Sequence, residues 1–344
     1  MIVSLRKDAD RQHVVRELTA RGIAVGEIAE ARDGGAVLVV SACSIDVSAD
    51  EIERIERITG VAAVAMPKSP HPRVSAQGPI VDVAGVRVGD GLVLMAGPCS
   101  VESEEQVHAC AAALAPLGTR FLRGGAFKPR TSPYAFQGVG QPGLRWLREA
   151  ADAHGLRVVT EVLSENDVPA VAAAADLLQV GSRNMQNFAL LRAVGSAGKP
   201  VLLKRSMSAT VEEWLLAGEY LLAHGSSGVI FCERGIRGFD TSTRNLLDLS
   251  AVALLAHVHR LPVIVDPSHA TGRRDLVAPM ARAGIASGAA GLMIETHPSP
   301  GEARSDGPQA IPLAQMAALV ASLAPFTIGA AASVPALRRL GGRA

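Results

Sequence analysis

Two patterns of apolar and polar positions divide the chain. Over residues 1–67 they come in short, alternating blocks. Residues 2–5 read as a strand, 10–21 as a helix with Val14, Val15 and Leu18 at helical spacing, and 24–31 and 36–42 as strands parted by the turn signal Arg32-Asp33-Gly34-Gly35. Residues 49–59 place Ile52, Ile55 and Ile58 three apart, a second amphipathic helix, and 61–66 end the series as a strand. The order β-α-β-β-α-β predicts a small α+β, ferredoxin-like domain over 1–67. Residues 68–79, with Pro70, Pro72 and Pro79 among polar neighbours, read as a linker.

The second pattern begins with a small hairpin over 80–88, where valines flank Asp82 and Arg87 around Gly85. Then short apolar runs alternate with helical stretches: 92–96, 119–122, 157–160, 176–180, 201–203, 228–231, 262–265 and 291–294, with helical periodicity over 104–117, 211–222 and 243–258. Eight βα units in about 230 residues predict an α/β fold of the (β/α)8 TIM-barrel type over 80–325. A doubly wound open sheet is the alternative, but no G-x-G-x-x-G follows the first run. The tail, 326–344, carries no motif.

Composition narrows the function. A net charge of +1 and 3% aromatic residues disfavour nucleic-acid binding by charge or by stacking. Four scattered cysteines without C-x-x-C spacing suit a reducing compartment. The N-terminus lacks a signal-peptide core, and the uncharged stretch 307–337 is broken by four prolines, so no membrane span is expected. The expected location is cytoplasmic.

Candidate chemistry falls at the ends of the apolar runs. Cys99 follows the first, and Arg123, Lys128 and Arg130 the second; Glu161 ends the third and Arg183 follows the fourth. Lys204 and Arg205 end the fifth, Glu233 and Arg234 the sixth, Asp266 and His269 follow the seventh, and Glu295 and His297 end the eighth, with Asp306 beyond. In a barrel these ends converge on one mouth, where an active site is expected. Arg123, Lys128, Arg130, Arg183, Lys204 and Arg234 are more cations than one phosphate requires; they suit two phosphorylated substrates, or a phosphate and a carboxylate. Gly124 and Gly125 let backbone amides approach an oxyanion. Cys99, His269, Glu295 and Asp306 are a mixed soft and hard donor set for one divalent metal ion, with Mn, Fe, Zn and Co all suited. Lys204 alone also admits a Schiff-base role, which its cationic neighbours disfavour.

Six ordered motifs carry a resemblance: Ala96-Gly97-Pro98-Cys99-Ser100, the run from Arg123 through Lys128-Pro129-Arg130-Thr131-Ser132, Gly181-Ser182-Arg183-Asn184-Met185-Gln186-Asn187, Cys232-Glu233-Arg234-Gly235, Asp266-Pro267-Ser268-His269, and Ile294-Glu295-Thr296-His297. Over residues 80–312 the chain resembles the 3-deoxy-D-arabino-heptulosonate 7-phosphate (DAHP) synthase family, and its N-terminal domain is similar to that of the type Iβ branch. The resemblance implies a transferase that condenses phosphoenolpyruvate with D-erythrose 4-phosphate and water in a metal-dependent, aldol-type reaction, the first step of the shikimate pathway to aromatic amino acids. It implies that Arg123, Lys128, Arg183, Lys204 and Arg234 hold phosphoenolpyruvate, that Pro129, Arg130, Thr131 and Ser132 hold erythrose 4-phosphate, and that Cys99, His269, Glu295 and Asp306 ligate the metal. Lys128, Lys204, His269 and Cys99 are then the catalytic set.

The sister 3-deoxy-manno-octulosonate 8-phosphate synthases, which use arabinose 5-phosphate, typically carry Ala-Asn-Arg after the lysine, where this chain has Pro129-Arg130-Thr131. The N-terminal domain resembles regulatory domains that bind tyrosine or phenylalanine and inhibit the synthase. A homo-oligomer of two or four copies is expected.

Overall fold

The computed structural model describes residues 1–30, 35–43, 47–66, 69–130 and 132–327. These residues form two compact units, divided between Pro70 and His71. The first runs β1 (Ile2–Leu5), α1 (Arg11–Ala20), β2 (Ile23–Glu30), β3 (Ala36–Cys43), α2 (Ala49–Glu56) and β4 (Val61–Ala65), the anticipated order. Its sheet has the order β2-β3-β1-β4, with antiparallel pairs throughout. Asp10 starts α1 by accepting from the backbone N–H groups of Gln12 and His13, and Val14, Leu18 and Ile55 pack with Val3, Ile23 and Leu38 as the core. The turn at 31–34 lies outside the described residues.

The expected linker contains an ordered element. Pro72–Gln77 is a short helix, α3, with Pro72 in its first turn, where a missing N–H is harmless. The Glu219 carboxylate accepts from Arg73 N and Val74 N at 2.9 Å each, and Val74 is buried. Next come the hairpin strands β5 (Val81–Val83) and β6 (Val86–Val88).

Parallel strands then alternate with helices: β7 (Val93–Gly97), α4 (Glu104–Leu114), β8 (Phe121–Arg123), α5 (Gln141–Ala153), β9 (Arg157–Val162), α6 (Val168–Ala174), β10 (Leu177–Val180), α7 (Phe188–Ser196), β11 (Val201–Lys204), α8 (Val211–Ala223), β12 (Val229–Glu233), α9 (Leu249–Ala253), β13 (Val263–Val265), α10 (Pro267–Thr271), α11 (Arg274–Ala286) and β14 (Gly291–His297). β14 pairs with both β13 and β7, so the sheet closes into the expected barrel. A two-residue strand, β15 (Ile311–Pro312), follows on β14, and α12 (Leu313–Thr327) packs against α11.

Nearly every position of the barrel strands is buried, Arg157 and Glu161 of β9 being half-buried, because one parity faces the barrel axis and the other the helices. Met95, Phe121, Val159, Leu177, Leu202, Ile230, Ile264 and Met293 form the inner core, and the valines of the hairpin close it at the N-terminal end of the strands. Their neighbours Leu94, Leu122, Val158, Leu178, Leu203, Phe231, Val265 and Leu292 pack outward.

The stretch 243–258, expected as one helix, divides. Residues 243–248 are not helical but pass beside α10, with Arg244 N and Asn245 N donating to Thr271 O and Ala270 O at 2.9 Å each. The helix begins only after Asp248, whose carboxylate caps Ala251 N. Among the described residues no helix is long and apolar enough to cross a membrane.

Candidate active site

Strand parity carries the inner core upward into polar chemistry. Two residues beyond Phe121, Val159, Leu177, Leu202, Ile264 and Met293 stand Arg123, Glu161, Gln179, Lys204, Asp266 and Glu295, on the same inward face. Arg123, Glu161, Gln179 and Lys204 line a cavity of about 310 Å³, joined by Lys128, Pro129, Arg130, Arg183, Arg234, Arg244, His269 and Asp306. Parity also explains two residues that stay out. Arg205 and Glu233 continue the outward row, where they pair with each other at 3.1 Å and Arg205 also meets Asp248 at 2.8 Å. They buttress the barrel wall. His297 lies 3.7 Å from Glu102, away from the cavity.

Cys99, His269, Glu295 and Asp306 come together as anticipated, with one ligand atom of each inside a 4.8 Å span. His269 Nε2 is 2.9 Å from Glu295 Oε1, and the Cys99 thiol donates to Asp306 Oδ2 at 3.1 Å. Each donor has a support. His269 Nδ1 meets Asp266 Oδ2 at 2.7 Å, and the same oxygen accepts from Lys204 Nζ at 2.6 Å. Glu295 accepts from Arg123 at 3.1 Å and from Gln309, while Lys128 Nζ donates to both the sulfur and the carbonyl oxygen of Cys99 at 3.0 Å. Asp306 Oδ1 accepts from Arg244 Nη2 at 3.1 Å.

The electrostatics follow from this crowding. Burial opposes a charge on His269, but Asp266 and Glu295 outweigh it and raise the imidazole pKa to about 10. Burial likewise opposes ionisation of Asp266 and Glu295, and His269, with Lys204 at one and Arg123 at the other, holds both below the usual carboxylate range. Four donor groups within reach of one point, with a carboxylate behind the imidazole, suit a divalent cation. Cys232, by contrast, is an inner-core thiol that burial pushes up to about 12. It serves packing.

The cavity wall itself is cationic: seven Lys and Arg side chains against Glu161 and Asp306, a balance that selects anionic ligands. Arg123 Nε, Arg130 Nη2 and Arg234 Nη1 are buried without a hydrogen-bond partner among the described residues. Buried guanidinium donors left open in this way suit phosphate or carboxylate oxygens. Lys204 Nζ, committed to Asp266, is not free to attack a carbonyl, which disfavours the Schiff-base alternative.

The expected sugar-phosphate run divides. Pro129 and Arg130 line the cavity, Thr131 lies outside the described residues, and Ser132 is exposed with its hydroxyl accepting from Tyr134 N, off the cavity wall. Gln179, Gln309 and Arg244 were not anticipated. Parity could have found Gln179; Gln309 ends a three-residue 3-10 turn and Arg244 precedes α9, and strand parity marks neither. A larger groove of about 880 Å³ between α11 and α12 holds none of the expected site residues.

Comparison with known proteins agrees with this geometry. Residues 73–325 match the profile of the DAHP synthetase I family. The chain is 49% identical over 271 residues to a phospho-2-dehydro-3-deoxyheptonate aldolase of Thermotoga maritima, spanning 77% of this chain and 79% of that protein. It is 35% identical over 243 residues to a 2-dehydro-3-deoxyphosphooctonate aldolase of Acidithiobacillus ferrooxidans, spanning 65% and 85%. Among solved structures, the Thermotoga maritima DAHP synthase superposes with a TM-score of 0.74 at 42% identity, covering 96% of this chain and 98% of that one. A truncated form of the Thermotoga enzyme gives 0.69 at 46% identity, covering 75% and 95%.

Proposed function

The chain belongs to the DAHP synthetase I family, and from that premise we propose that it condenses phosphoenolpyruvate with D-erythrose 4-phosphate and water, giving DAHP and phosphate, with one bound divalent metal ion. One observation carries the reading: a cationic cavity with open guanidinium donors adjoins four metal-donor groups within reach of one ion. Phosphoenolpyruvate offers a phosphate and a carboxylate, which Arg123, Lys128, Arg183, Lys204 and Arg234 divide between them. Arg130, beside Pro129, takes the sugar phosphate, with Thr131 next to it in sequence; Ser132, off the cavity wall, is left out of the set.

Cys99, His269, Glu295 and Asp306 would hold the ion, which when bound supplies Lewis acidity toward the aldehyde oxygen. The side chains do the rest. The cations orient the enol so that its C3 faces the aldehyde carbon, which converts a bimolecular encounter into a positioned one. Carbon–carbon bond formation leaves C2 electron-poor, water adds there, and the phosphate leaves by C–O cleavage with its charge stabilised by the same cations. Glu161 and Lys204, both on the cavity wall, are the groups able to move the accompanying protons.

Phosphate release from phosphoenolpyruvate, with erythrose 4-phosphate or arabinose 5-phosphate as co-substrate, tests this before and after chelation. Turnover with the four-carbon sugar, abolished by a chelator and restored by a divalent ion, is expected. Preference for arabinose 5-phosphate would transfer the chain to the sister activity. Turnover that survives verified metal removal would overturn the metal assignment. The N-terminal unit, in the same proposal, binds tyrosine or phenylalanine and inhibits the barrel, by analogy of fold, and copies assemble as dimers or tetramers.

A further inference from the structure

Arg244 reaches the site from the non-helical segment before α9, and the reaction above assigns it nothing. Its Nη2 lies 3.1 Å from Asp306 Oδ1, while Asp306 Oδ2 faces the Cys99 thiol at 3.1 Å. The two carboxylate oxygens are therefore distinguished: one belongs to the guanidinium and the other to the donor cluster. Asp306 needs such a hold more than Glu295 or His269. Glu295 sits in strand β14 and His269 in helix α10, whereas Asp306 stands in a loop at φ +53°, half-buried, with no ladder to fix it.

Arg244 is itself anchored to the element that carries His269. Arg244 N donates to Thr271 O and Asn245 N to Ala270 O at 2.9 Å each, and Asn245 Nδ2 donates to His269 O at 3.3 Å. The path of the side chain depends on Gly272, at φ +66°, where a Cβ would come within 2.9 Å of both the Cβ and the Nε of Arg244. A guanidinium threaded past a bare glycine thus ties the Asp306 loop to the His269 helix.

We propose that Arg244 is a positioning residue that holds Asp306 by Oδ1 and so presents Oδ2 to the metal as a one-oxygen ligand. The proposal rests on the metal-dependent reading above. It makes a prediction whose sign is not the obvious one. A cation beside a ligand oxygen opposes the binding of a second cation, so a mere bystander arginine would, once removed, leave metal affinity unchanged or tighter. A positioning arginine would, once removed, weaken it.

The test uses full-length, chelator-stripped protein titrated calorimetrically with Mn²⁺ and with Co²⁺, whose visible absorption also reports ligand geometry. Arg244→Ala is expected to weaken binding by about tenfold to a hundredfold, the range for lost support of a metal ligand, with a smaller loss for Arg244→Lys. In an Asp306→Ala background the Arg244 substitution is expected to change nothing further, because the two act as one unit. Unchanged or tighter binding in Arg244→Ala overturns the proposal, as does an equal loss with Asp306 already removed. The Arg244 side chain is 41% exposed, and the melting temperatures of the metal-free variants should match that of the parent. Failure of the wider reading is distinguishable: a parent protein that binds neither ion overturns the metal assignment itself, whereas a parent that binds and turns over beside an unaltered Arg244→Ala variant overturns only the role of Arg244.

Discussion

At the residue scale the site turns on His269. Asp266 behind it and Glu295 beside it raise its pKa to about 10, so the metal-free imidazole holds a proton throughout the neutral range. A metal ion must displace that proton. Apparent affinity for a divalent ion should therefore rise with pH from neutral toward 10, by about tenfold per pH unit for the His269 proton alone and more steeply where the Cys99 thiol proton is released with it; a flat profile by calorimetry would refute the coupling. The stability of the metal-free protein follows the opposite course. A group whose folded pKa is raised contributes fully below its unfolded value, near 6.5, and loses that contribution as pH rises through about 10. Asp266, Glu295 and Asp306, whose pKa values are depressed, contribute above the normal carboxylate range and lose it on acidification. Much of this set was legible before folding: Cys99, His269, Glu295, Asp306 and the six cations each end or follow an apolar run. Which strand-end residues turn inward was legible too, in strand parity, and that reading would have set Arg205 and Glu233 apart from Lys204 and Arg234.

At the element scale the β5–β6 hairpin shows how one part supports the site without touching it. Val83 and Val88 are fully buried among the first inward residues of the barrel strands, such as Val93 and Leu177, at the end opposite the polar layer. Val83→Ala should cost about 2 kcal/mol, from lost burial plus a cavity, and lower the melting temperature with both substrate KM values unchanged. A shift in either KM would mean that the plug is coupled to the mouth. The hairpin was readable from alternating valines around Gly85. Helix α3 was not, because six residues opening on a proline carry too little periodicity. Its N-terminal amides are satisfied by Glu219, almost 150 positions away. Arg244 was hidden for the opposite reason: 243–258 has helical spacing throughout, and only pairing with α10 keeps its first residues out of a helix.

At the scale of the whole molecule, every residue of the candidate site lies within the unit that starts at His71, and the profile match begins at residue 73. If the proposed reading holds, a chain starting at residue 71 should keep turnover and metal dependence, while any inhibition by tyrosine or phenylalanine measured for the full chain should vanish. Inhibition that survives the deletion would remove the N-terminal unit from regulation; loss of turnover would show that the barrel requires it.

The amino-acid sequence by itself determined the class of the fold, the metal donor set and most of the cationic set, because each is written in short-range pattern: periodicity two in strands, about three to four in helices, and chemistry at the ends of runs. Only the tertiary structure decided that the four donor groups lie within reach of one another, which cations keep open hydrogen-bonding positions, and that Gln179, Gln309 and Arg244 belong to the site. Those facts depend on contacts between residues tens to hundreds of positions apart. Closing the barrel creates them, and no local pattern encodes such distances.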